Sequence, residues 1–399
     1  MDADPVGRAT RRRNKSVSVL RYQGKRGVVW RIKYRDASGR QVVETLGPEP
    51  AWNRRSAGRE LTLRLADIAK GYTKPERITF AEFSKRFMAM HALARNLKFS
   101  TREGYEINLR RHLLPAFGRF LLTDLEARPE IIDRYIAQKA AEGLAPKTIH
   151  NHLQLLSVMF GRALAWRLVR SNPLIFVDRP RADQPEIQIL SEAEIAEYLS
   201  TFHQQEREAD EHERVWWFLM RTLVVVDLGT ALRRGELLAL RWRAVNLLEG
   251  KIEVREALVR GRFTTPKSRA SRRVIEIGPR TQEALAALWG VTLYRGDGDL
   301  VFCHPFTGKP LDPGTISKRY LKPALTRAGI TKPFRPFHDL RHTALTHAAA
   351  AGNPQAYVQM RAGHSQGTIT ERYIHSAQVL FPGAAERTEE RMFGGRPPS

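Results

Sequence analysis

Cysteine is almost absent from this sequence, since Cys303 is the only one among 399 residues. A single thiol excludes disulfide bonds within the chain and zinc sites built from several cysteines, and we expect it to be a small buried residue. Long apolar runs are also lacking, because the longest candidate, 215–228, is interrupted by Arg221 and Asp227. A membrane-spanning helix needs about 20 apolar residues. These absences predict a protein of the reducing cytoplasm that does not cross a membrane.

Acidic residues are too few to balance the basic ones. The chain carries 42 Asp and Glu against 66 Lys and Arg, which gives a formal net charge of +24. The excess is greatest near the amino terminus, where 1–77 holds 19 basic and 8 acidic residues. A positive field of this size raises the local concentration of a polyanion and is typical of nucleic-acid-binding proteins. A generically basic surface is the alternative interpretation.

The amino-terminal part of the chain is predicted to be a basic tail followed by a small domain. Residues 1–15 have the composition of a flexible tail. Residues 16–72 alternate apolar and polar side chains, and turn signals at Gly24–Gly27 and Asp36–Gly39 divide them into two or three antiparallel strands. Apolar residues at helical spacing over 56–69 predict a helix after the strands. A small sheet with one helix, rich in Arg and Lys, suits a minor DNA-binding module; a dimerisation or capping subdomain is the alternative.

Residues 79–176 have the periodicity of a compact helical domain. Four helices are expected, with Thr79 and Ser100 as N-caps and Pro146 in the first turn of the last helix. Residues 177–188 show no periodicity and contain two prolines. They are predicted to be an interdomain linker.

Residues 189–385 combine helical and strand-like patterns and form a third predicted domain, with 386–399 as a flexible tail. Helices are predicted at 191–202, 215–228 and 234–240 and again from Thr281, Thr315 and Phe337, and strands at 251–259 and 273–277.

Four short motifs stand in order in this third domain. The first is TALRRGELLALRW, with Arg233 three positions before Glu236 on a predicted helix, and the second is TTPKSRASRRVIEI, with Lys267 in a predicted turn. The third is FHDLRHTALTHA, with His338 and Arg341 on one helix face. The fourth is RAGHSQGTITERYIH, with His364 nine positions before Tyr373. Each motif alone is weak, because an Arg-x-x-Glu pair is usually a solvated salt bridge and a lone tyrosine is usually half-buried packing. Their joint order in a basic chain is the specific signal.

The ordered set resembles the catalytic domain of the tyrosine recombinases of the phage integrase family. That family has an arginine in an RxxE segment, a lysine in a hairpin turn, an HxxR helix, a Gly-His element and a tyrosine nucleophile. Two positions depart from its pattern, since Ala231 replaces a usual glycine and Ala362 a common leucine. Both changes concern backbone and packing rather than reacting groups. The catalytic residues that the resemblance implies are Arg233, Lys267, His338, Arg341, His364 and Tyr373.

The resemblance extends to the rest of the chain. The helical region 79–176 is similar to the family's core-binding, SAM-like domain, and 16–72 resembles, more weakly, the arm-binding domains of integrases. The implied fold class is multidomain and mainly α with small β elements. It comprises a small sheet-plus-helix arm domain, a helical core-binding domain and a mixed α/β catalytic domain.

The resemblance implies site-specific DNA recombination through a covalent 3′-phosphotyrosine. Because a phosphodiester is anionic, Arg233 and Arg341 suit its non-bridging oxygens, to which each guanidinium offers paired N–H donors. A tyrosine pKa of about 10 requires a base or strong positive charge nearby. His338 is the expected general base or proton shuttle, Lys267 the general acid for the departing 5′-oxygen, and His364 a further donor to the phosphate. Since a tyrosyl ester preserves the energy of the phosphodiester, no ATP, metal or other cofactor is expected.

The expected partner is double-stranded DNA, at core-type sites and, given the additional basic domain, at arm-type sites. The family works as a tetramer, so a homotetramer on DNA is expected, with 376–393 packing on a neighbouring subunit. Accessory DNA-bending or directionality proteins are further expected partners. The additional domain favours integration and excision of a mobile element or prophage over chromosome-dimer resolution. Candidate DNA contacts are Arg11, Arg12, Arg13, Arg31, Lys33, Lys147, Arg179 and Arg181.

Three other functions remain as alternatives. A type I topoisomerase shares the chemistry but has no sequence choice, and a catalytically silent DNA-binding regulator could keep the same fold. A metal-dependent nuclease is the third. His338 and His342 have a spacing that could hold zinc, but the residues between them lack the glutamate of an HExxH motif, so no metal site is predicted.

Overall fold

The computed structural model describes residues 17–24, 27–69, 71, 76–92, 97–181, 186–264, 272–364, 370, 371 and 373. The chain forms two compact units, Met1–Asp183 and Gln184–Ser399. Helices dominate and the sheets are small, which confirms the expected mainly α fold class. Across these residues, no helix combines the length and the apolar character needed to cross a membrane.

The first unit begins with an antiparallel sheet of three strands and a helix packed on it. Trp30, Ile32 and Tyr34 alternate along the central strand and bury one face of the sheet against Ala57 and Leu61 of the helix. The predicted strands, the turn at Asp36–Gly39 and the following helix are therefore confirmed. The predicted turn at Gly24–Gly27 contains residues 25 and 26, which lie outside the described residues. The elements are β1 (Ser18–Gly24), β2 (Gly27–Arg35), β3 (Gln41–Pro48) and α1 (Arg54–Ala69).

The rest of the first unit is helical around a separate hydrophobic core. All four predicted helices are present, and α5 is an additional helix too short to show a period in the sequence. The α-helices are α2 (Phe80–Phe87), α3 (Phe99–Asn108), α4 (Leu114–Phe117), α5 (Leu122–Ala127), α6 (Glu130–Ala141) and α7 (Pro146–Ala165), with π-helical turns Met88–Ala92 and Leu109–Leu113 and a 3-10 turn Pro173–Ile175.

Cap residues account for where these helices begin. The Thr79 hydroxyl accepts from the backbone N–H of Glu82, whose carboxylate accepts in turn from the Thr79 backbone N–H at 2.9 Å. Pro146 lies in the first turn of α7, as predicted. The prediction of Ser100 as an N-cap is wrong, because α3 already begins at Phe99 and the serine lies inside its first turn.

No helix or strand occurs in 177–181 or 186–190, which are the described parts around the predicted linker. The predicted tails 1–15 and 386–399 lie outside the residues that the structure describes, as does 376–393. The division of the chain into an arm domain, a core-binding domain, a linker and a catalytic domain at the boundaries given above stays a prediction.

The second unit places α9 at its centre, in contact with α8, α11 and α14. Strands β4, β5 and β8 form an antiparallel sheet in that order, and β6 pairs with β7. The strands are β4 (Val245–Asn246), β5 (Lys251–Val254), β6 (Ala257–Val259), β7 (Arg262–Thr264) and β8 (Arg273–Glu276). The α-helices are α8 (Glu192–Glu208), α9 (Glu211–Thr230), α10 (Arg234–Leu237), α11 (Pro279–Val291), α12 (Pro313–Ile316), α13 (Lys322–Arg327), α14 (Pro336–Ala350) and α15 (Gln355–Ala362).

Two predictions for this unit are wrong in detail. The run 251–259 is not one strand, because the chain leaves β5 where Glu256 receives hydrogen bonds from Arg241 (3.1 Å) and Arg243 (2.7 Å). The helix expected over 234–240 ends at Leu237, since the following backbone turns to pair with the segment around 300. Tertiary contacts therefore override local pattern at both places. Cys303 is buried, as expected.

Candidate active site

The first arginine of the ordered motifs stands at the junction of α9 and α10. Helix α9 ends at Thr230, and its C-cap residue, Ala231, adopts a left-handed conformation (φ 55°, ψ 33°) that glycine would adopt without strain. Arg233 is the N-cap residue of α10, so the prediction that it lies on a helix is wrong. Its backbone N–H donates to Glu236 Oε2 (3.1 Å) and its Nη1 to Glu236 Oε1 (2.9 Å). Glu236 therefore orients Arg233, whose side chain remains 39% exposed and accessible to a ligand.

The second arginine, Arg341, is buried on α14. Its Nη1 donates to the carbonyl of Ala231 (2.5 Å) and its Nη2 to the carbonyl of Ala362 (2.6 Å). The same Nη2 lies 3.3 Å from His364 Nε2. These contacts engage three of the five N–H donors of a guanidinium. Arg341 thus ties α14 to the ends of α9 and α15 and keeps donors for an incoming anion.

A third arginine, Arg273 on β8, lies beside the first two at the carboxyl end of α15. The partial negative charge of a helix carboxyl terminus favours cations there. Three consecutive carbonyls of this terminus therefore accept one guanidinium each. The pairs are Arg361 O with Arg273 Nε (2.9 Å), Ala362 O with Arg341 Nη2 (2.6 Å) and Gly363 O with Arg233 Nη2 (2.7 Å).

Tyr373 lies against two imidazole rings and is 4% exposed. The His364 ring stacks on it, with ring centroids 5.9 Å apart and planes at 14°. The His342 ring lies 5.3 Å away at 36°. His364 Nδ1 is 3.1 Å from Thr370 Oγ1, while the other ring nitrogen faces Arg341. His364 therefore links the buried arginine to the segment that carries the tyrosine.

His338 is connected to this group through His342, because their Nε2 atoms are 2.8 Å apart and share a hydrogen bond. With Asp339 they form a group of potential metal ligands whose ligating atoms lie within 4.8 Å of one another. The Asp339 carboxylate already accepts from the backbone (2.7 Å) and guanidinium (2.9 Å) of Arg335. With one ring nitrogen of each histidine and the carboxylate so engaged, the geometry fits a hydrogen-bonded histidine pair better than a metal centre.

Burial sets the charge state around Arg341. Burial, together with the positive charge of Arg233, lowers the pKa of Arg341 to about 10, so the guanidinium is charged at pH 7. Asp227 on α9 is also buried, and its carboxyl oxygens have no hydrogen-bond partner among the described residues. Burial raises the pKa of Asp227 well above its ordinary value. This shift favours the neutral carboxyl, which does not compete with a phosphate for the charge of Arg341.

The three histidines of the site are mainly neutral near pH 7. Burial, and then the neighbouring His338, lowers the pKa of His342 to about 4. Burial and the charge of Arg341 lower the pKa of His364 to about 4. Burial and the charge of Arg335 lower the pKa of His338 as well. A neutral imidazole can accept a proton, as a general base must.

The structure brings together every described member of the predicted catalytic set. A continuous chain of contacts joins Arg233, Arg341, His364, Tyr373 and, through His342, His338. Lys267 lies outside the described residues.

The predicted DNA contacts lie elsewhere, in the first unit. Arg31 and Lys33 are half-buried on β2, and the Arg31 guanidinium lies 3.7 Å from the centre of the Tyr22 ring. Lys147, at the start of α7, and Arg179 and Arg181, after the 3-10 turn, are exposed. Arg11, Arg12 and Arg13 lie outside the described residues.

Two residues of the site, Arg273 and His342, are absent from the catalytic set that the motifs predict. Strand alternation holds a signal for the first, since Arg273, Ile275 and Ile277 are buried while Val274 is exposed. An arginine on the buried face of a strand needs a partner. The signal for His342 is its i, i+4 spacing from His338, which on a helix brings two side chains into contact.

Comparison with protein families gives two matches in succession along the chain. Residues 79–140 match the phage integrase N-terminal SAM-like domain, and residues 193–379 match the phage integrase family. An integrase of Saccharopolyspora erythraea is 24% identical over 363 residues, covering 74% of this chain and 79% of that protein. A tyrosine recombinase XerC of Chlorobaculum parvum is 27% identical over 314 residues, covering 72% of this chain and 88% of that protein.

Solved structures share the fold. The Tn1549 transposon integrase in complex with a circular intermediate DNA has a TM-score of 0.61 at 21% identity, covering 76% of this chain and 99% of that chain. A lambda integrase tetramer bound to a Holliday junction has a TM-score of 0.56 at 19% identity, covering 88% of this chain and 94% of that chain. The family matches, the relatives and the shared fold all agree with the ordered motifs. The chain belongs to the phage integrase family of tyrosine recombinases and is a site-specific recombinase that cleaves and rejoins DNA.

Proposed function

We propose that this recombinase uses Tyr373 as the nucleophile that opens one strand of duplex DNA. The phenolic oxygen attacks the scissile phosphorus, and the 5′-oxygen leaves with the electron pair of its bond, which gives a 3′-phosphotyrosine and a free 5′-hydroxyl. Attack by a new 5′-hydroxyl reverses the step and joins the strand. Neither step needs ATP, because the ester bond is retained throughout. The contact of Tyr373 with His364, which binds Arg341, is the observation that carries this proposal.

Arg233 and Arg341 would hold the two non-bridging oxygens of the scissile phosphate. Protein contacts fix both guanidiniums without DNA. Glu236 and the Gly363 carbonyl hold the first, and backbone carbonyls hold the second. Donors that are fixed in advance stabilise charge in the transition state without reorganising as it develops. This preorganisation supports a direct role of both arginines in catalysis.

Two proton transfers accompany cleavage. We propose that the hydrogen-bonded pair of His338 and His342 takes up the phenolic proton, with His338 as the general base. The contact of His342 with the Tyr373 ring and the neutral state of the pair support this role. Lys267 would protonate the leaving 5′-oxygen, a role that rests on the family resemblance alone. A further hydrogen bond from His364 to the phosphate, a role that likewise rests on the family resemblance, would require one of its ring nitrogens to exchange its present partner for the phosphate.

We propose that contacts to DNA phosphates supply most of the affinity. The exposure of Lys147, Arg179 and Arg181 supports their assignment to such contacts. If about eight phosphates are contacted, the logarithm of the affinity should fall with the logarithm of the salt concentration at a slope of about −7. Other proposed contacts are Arg11, Arg12, Arg13, Arg31 and Lys33.

We further propose a homotetramer that integrates and excises a mobile element or prophage. Recombination of two duplexes requires four strand cleavages, one for each active site of a tetramer. The shared fold with a lambda integrase tetramer on a Holliday junction and with a transposon integrase supports this assignment. The basic region 16–72 would bind arm-type sites, and accessory DNA-bending or directionality proteins would act on the same DNA. The single cysteine and the DNA substrate favour the cytoplasm.

A nicked suicide substrate tests the proposal. A duplex selected by binding from a random library carries a nick beside the cleavage site, so the short 5′-hydroxyl fragment diffuses away and the covalent complex accumulates. We expect a covalent complex with the wild type, in EDTA as well as without it, and none with Tyr373→Phe. Tyr294→Phe, at a half-buried tyrosine of the same unit, is the matched control and should behave as the wild type.

Each alternative function predicts a different result. Relaxation of supercoiled DNA without a target site would indicate a topoisomerase, and binding without cleavage a silent regulator. Cleavage that EDTA abolishes, with no protein–DNA linkage, would indicate a metal-dependent nuclease.

A further inference from the structure

Arg273 is a buried charged residue beside the active site to which the motifs assign no role. Its side chain is 3% exposed on β8, in line with the buried Ile275. Two of its nitrogens, Nε and Nη2, already donate to protein acceptors, the Arg361 carbonyl and the Glu236 carboxylate. The effect of Arg273 on strand cleavage is therefore expected to pass through the groups that it contacts.

Arg273 contacts two parts of the phosphate site: the Glu236 carboxylate, which binds Arg233, and the carboxyl end of α15, which precedes His364. Its Nη2 donates to Glu236 Oε2 (3.0 Å), on the carboxylate that also binds Arg233. Its Nε donates to the carbonyl of Arg361 (2.9 Å) at the end of α15. A Cβ added to Gly363 would lie 2.9 Å from Arg273 Nη1, so the guanidinium packs directly on the peptide that precedes the Gly-His histidine.

Glu236 depends on Arg273 for its charge. The carboxylate is 4% exposed, and a buried carboxylate is unfavourable unless it is paired and hydrogen-bonded. Burial raises the pKa of Glu236, but the charge and hydrogen bond of Arg273, followed by those of Arg233, outweigh burial and lower it. Glu236 is therefore ionised and divides its attraction between two guanidiniums.

Without Arg273, Glu236 would face Arg233 alone. A carboxylate with a single partner would draw the Arg233 guanidinium toward the protein interior. Alternatively, the carboxylate would become protonated and would no longer hold Arg233. Either change moves the Arg233 guanidinium relative to the scissile phosphate. A misplacement of about 1 Å in a catalytic group can slow a reaction about 10²-fold.

We propose that Arg273 is a positioning residue for strand cleavage: by holding Glu236 and the end of α15, it keeps the Arg233 guanidinium turned toward the non-bridging oxygens of the scissile phosphate. The proposal rests on the proposed function, since it concerns the same phosphate site. It assigns to a buried strand residue an effect on the rate of cleavage rather than on the affinity for DNA.

A double-mutant cycle on the nicked suicide substrate tests this effect. Single-turnover rates of covalent-complex formation are compared for the wild type, Arg273→Met, Arg233→Lys and the double variant. We expect Arg273→Met to slow cleavage about 10²-fold at unchanged DNA affinity. In the Arg233→Lys background it should add little further loss, because both changes act on one guanidinium. Arg273→Lys, which keeps a charge beside Glu236, should recover part of the rate.

Two further variants separate positioning from stability. Arg273→Met combined with Glu236→Gln removes the unpaired buried carboxylate, so it should melt near the wild type and still cleave slowly. Arg221→Met breaks a partly buried ion pair with Glu206 (3.1 Å) between α8 and α9. As the matched control, it should leave the cleavage rate unchanged.

The outcomes that would overturn the proposal are distinct. If Arg273→Met slows cleavage by the same factor in the Arg233→Lys background as in the wild type, Arg273 acts independently of Arg233. If Arg273→Met combined with Glu236→Gln cleaves at the wild-type rate, Arg273 serves only to neutralise the buried Glu236 carboxylate and does not position Arg233. Failure of the wild type to form a complex through Tyr373 would instead refute the proposed function itself.

Discussion

Replacement of Arg341 by lysine should slow strand cleavage far more than it weakens DNA binding. Contacts with the carbonyls of Ala231 and Ala362 and with His364 engage three of the five N–H donors of this guanidinium. The planar fork leaves donors for the phosphate in a fixed direction. A lysine retains a positive charge but offers three donors from one atom, so it cannot keep these partners and also bind two phosphate oxygens.

The expected loss follows from the number of contacts. Removal of one set of preorganised donors from an oxyanion site costs about 3–4 kcal/mol of transition-state stabilisation. The single-turnover rate of Arg341→Lys should therefore fall about 10²–10³-fold. DNA affinity should change little, because the charge is kept and the residue supplies one of about eight phosphate contacts.

The Arg341→Lys variant should also acquire a pH dependence that the wild type lacks. Burial, with the charge of Arg233, lowers the pKa of Arg341 from 12.5 to about 10. A lysine in the same place starts from a lower pKa of about 10.4, and the same burial and neighbouring charge would lower it further. Its charged form is therefore lost at a lower pH than that of the arginine. The residual rate should fall with rising pH, while the wild-type arginine remains mostly charged.

The assay measures covalent-complex formation in a single turnover at pH 7 and pH 9, beside DNA binding by fluorescence anisotropy and a melting curve. Arg327→Lys, at an exposed arginine of α13, is the matched control and should match the wild type in all three. A cleavage rate for Arg341→Lys within a few-fold of the wild type would refute the reasoning. A loss of affinity as large as the loss of rate would refute it equally.

Three further changes follow from the same geometry. Because burial and the charge of Arg335 lower the pKa of His338, the neutral base should persist below pH 6.5 and the cleavage rate should fall only at lower pH. A rate profile that reaches half of its maximum at a pH above 6.5 would contradict this. Gly363→Ala should lower the free energy of unfolding by about 1–2 kcal/mol in urea titrations and slow cleavage, since φ is +62° and the new Cβ would meet Arg273; an unchanged midpoint would contradict it. Ala231→Gly should raise the free energy of unfolding by up to about 1 kcal/mol, because relief of the left-handed strain exceeds the added entropy of the unfolded chain; a lower melting temperature would contradict this.

Local signals in the sequence predicted most of the fold. The alternation of Trp30, Ile32 and Tyr34 predicts a strand with one buried face, and the structure has it. Ser191 begins α8 with a capping box in which Glu194 is the reciprocal partner. Such features depend on residues a few positions apart, so the sequence alone predicts them. The break after β5 depends instead on distant arginines, and no local pattern reveals it.

The sequence predicts the side chains of the site but not the backbone groups that hold them in place. The ordered motifs predict which arginines, histidines and tyrosine converge. They do not predict that consecutive carbonyls at the end of α15 hold the guanidiniums, because every residue has a carbonyl and residue type carries no information on its partner. Strand alternation predicts that Arg273 faces the protein interior, but not its role, which arises from a carboxylate 37 positions earlier in the chain.

Identification of the residue that becomes linked to DNA tests the central claim most directly. The covalent complex formed on the suicide substrate is digested with nuclease and protease, and the peptide that carries the nucleotide is sequenced by mass spectrometry. We expect the modification on Tyr373, as a 3′-phosphotyrosine. Linkage to Tyr357, to a serine or to any other residue would contradict the account, because only Tyr373 among the tyrosines of the described residues lies against both His364 and His342.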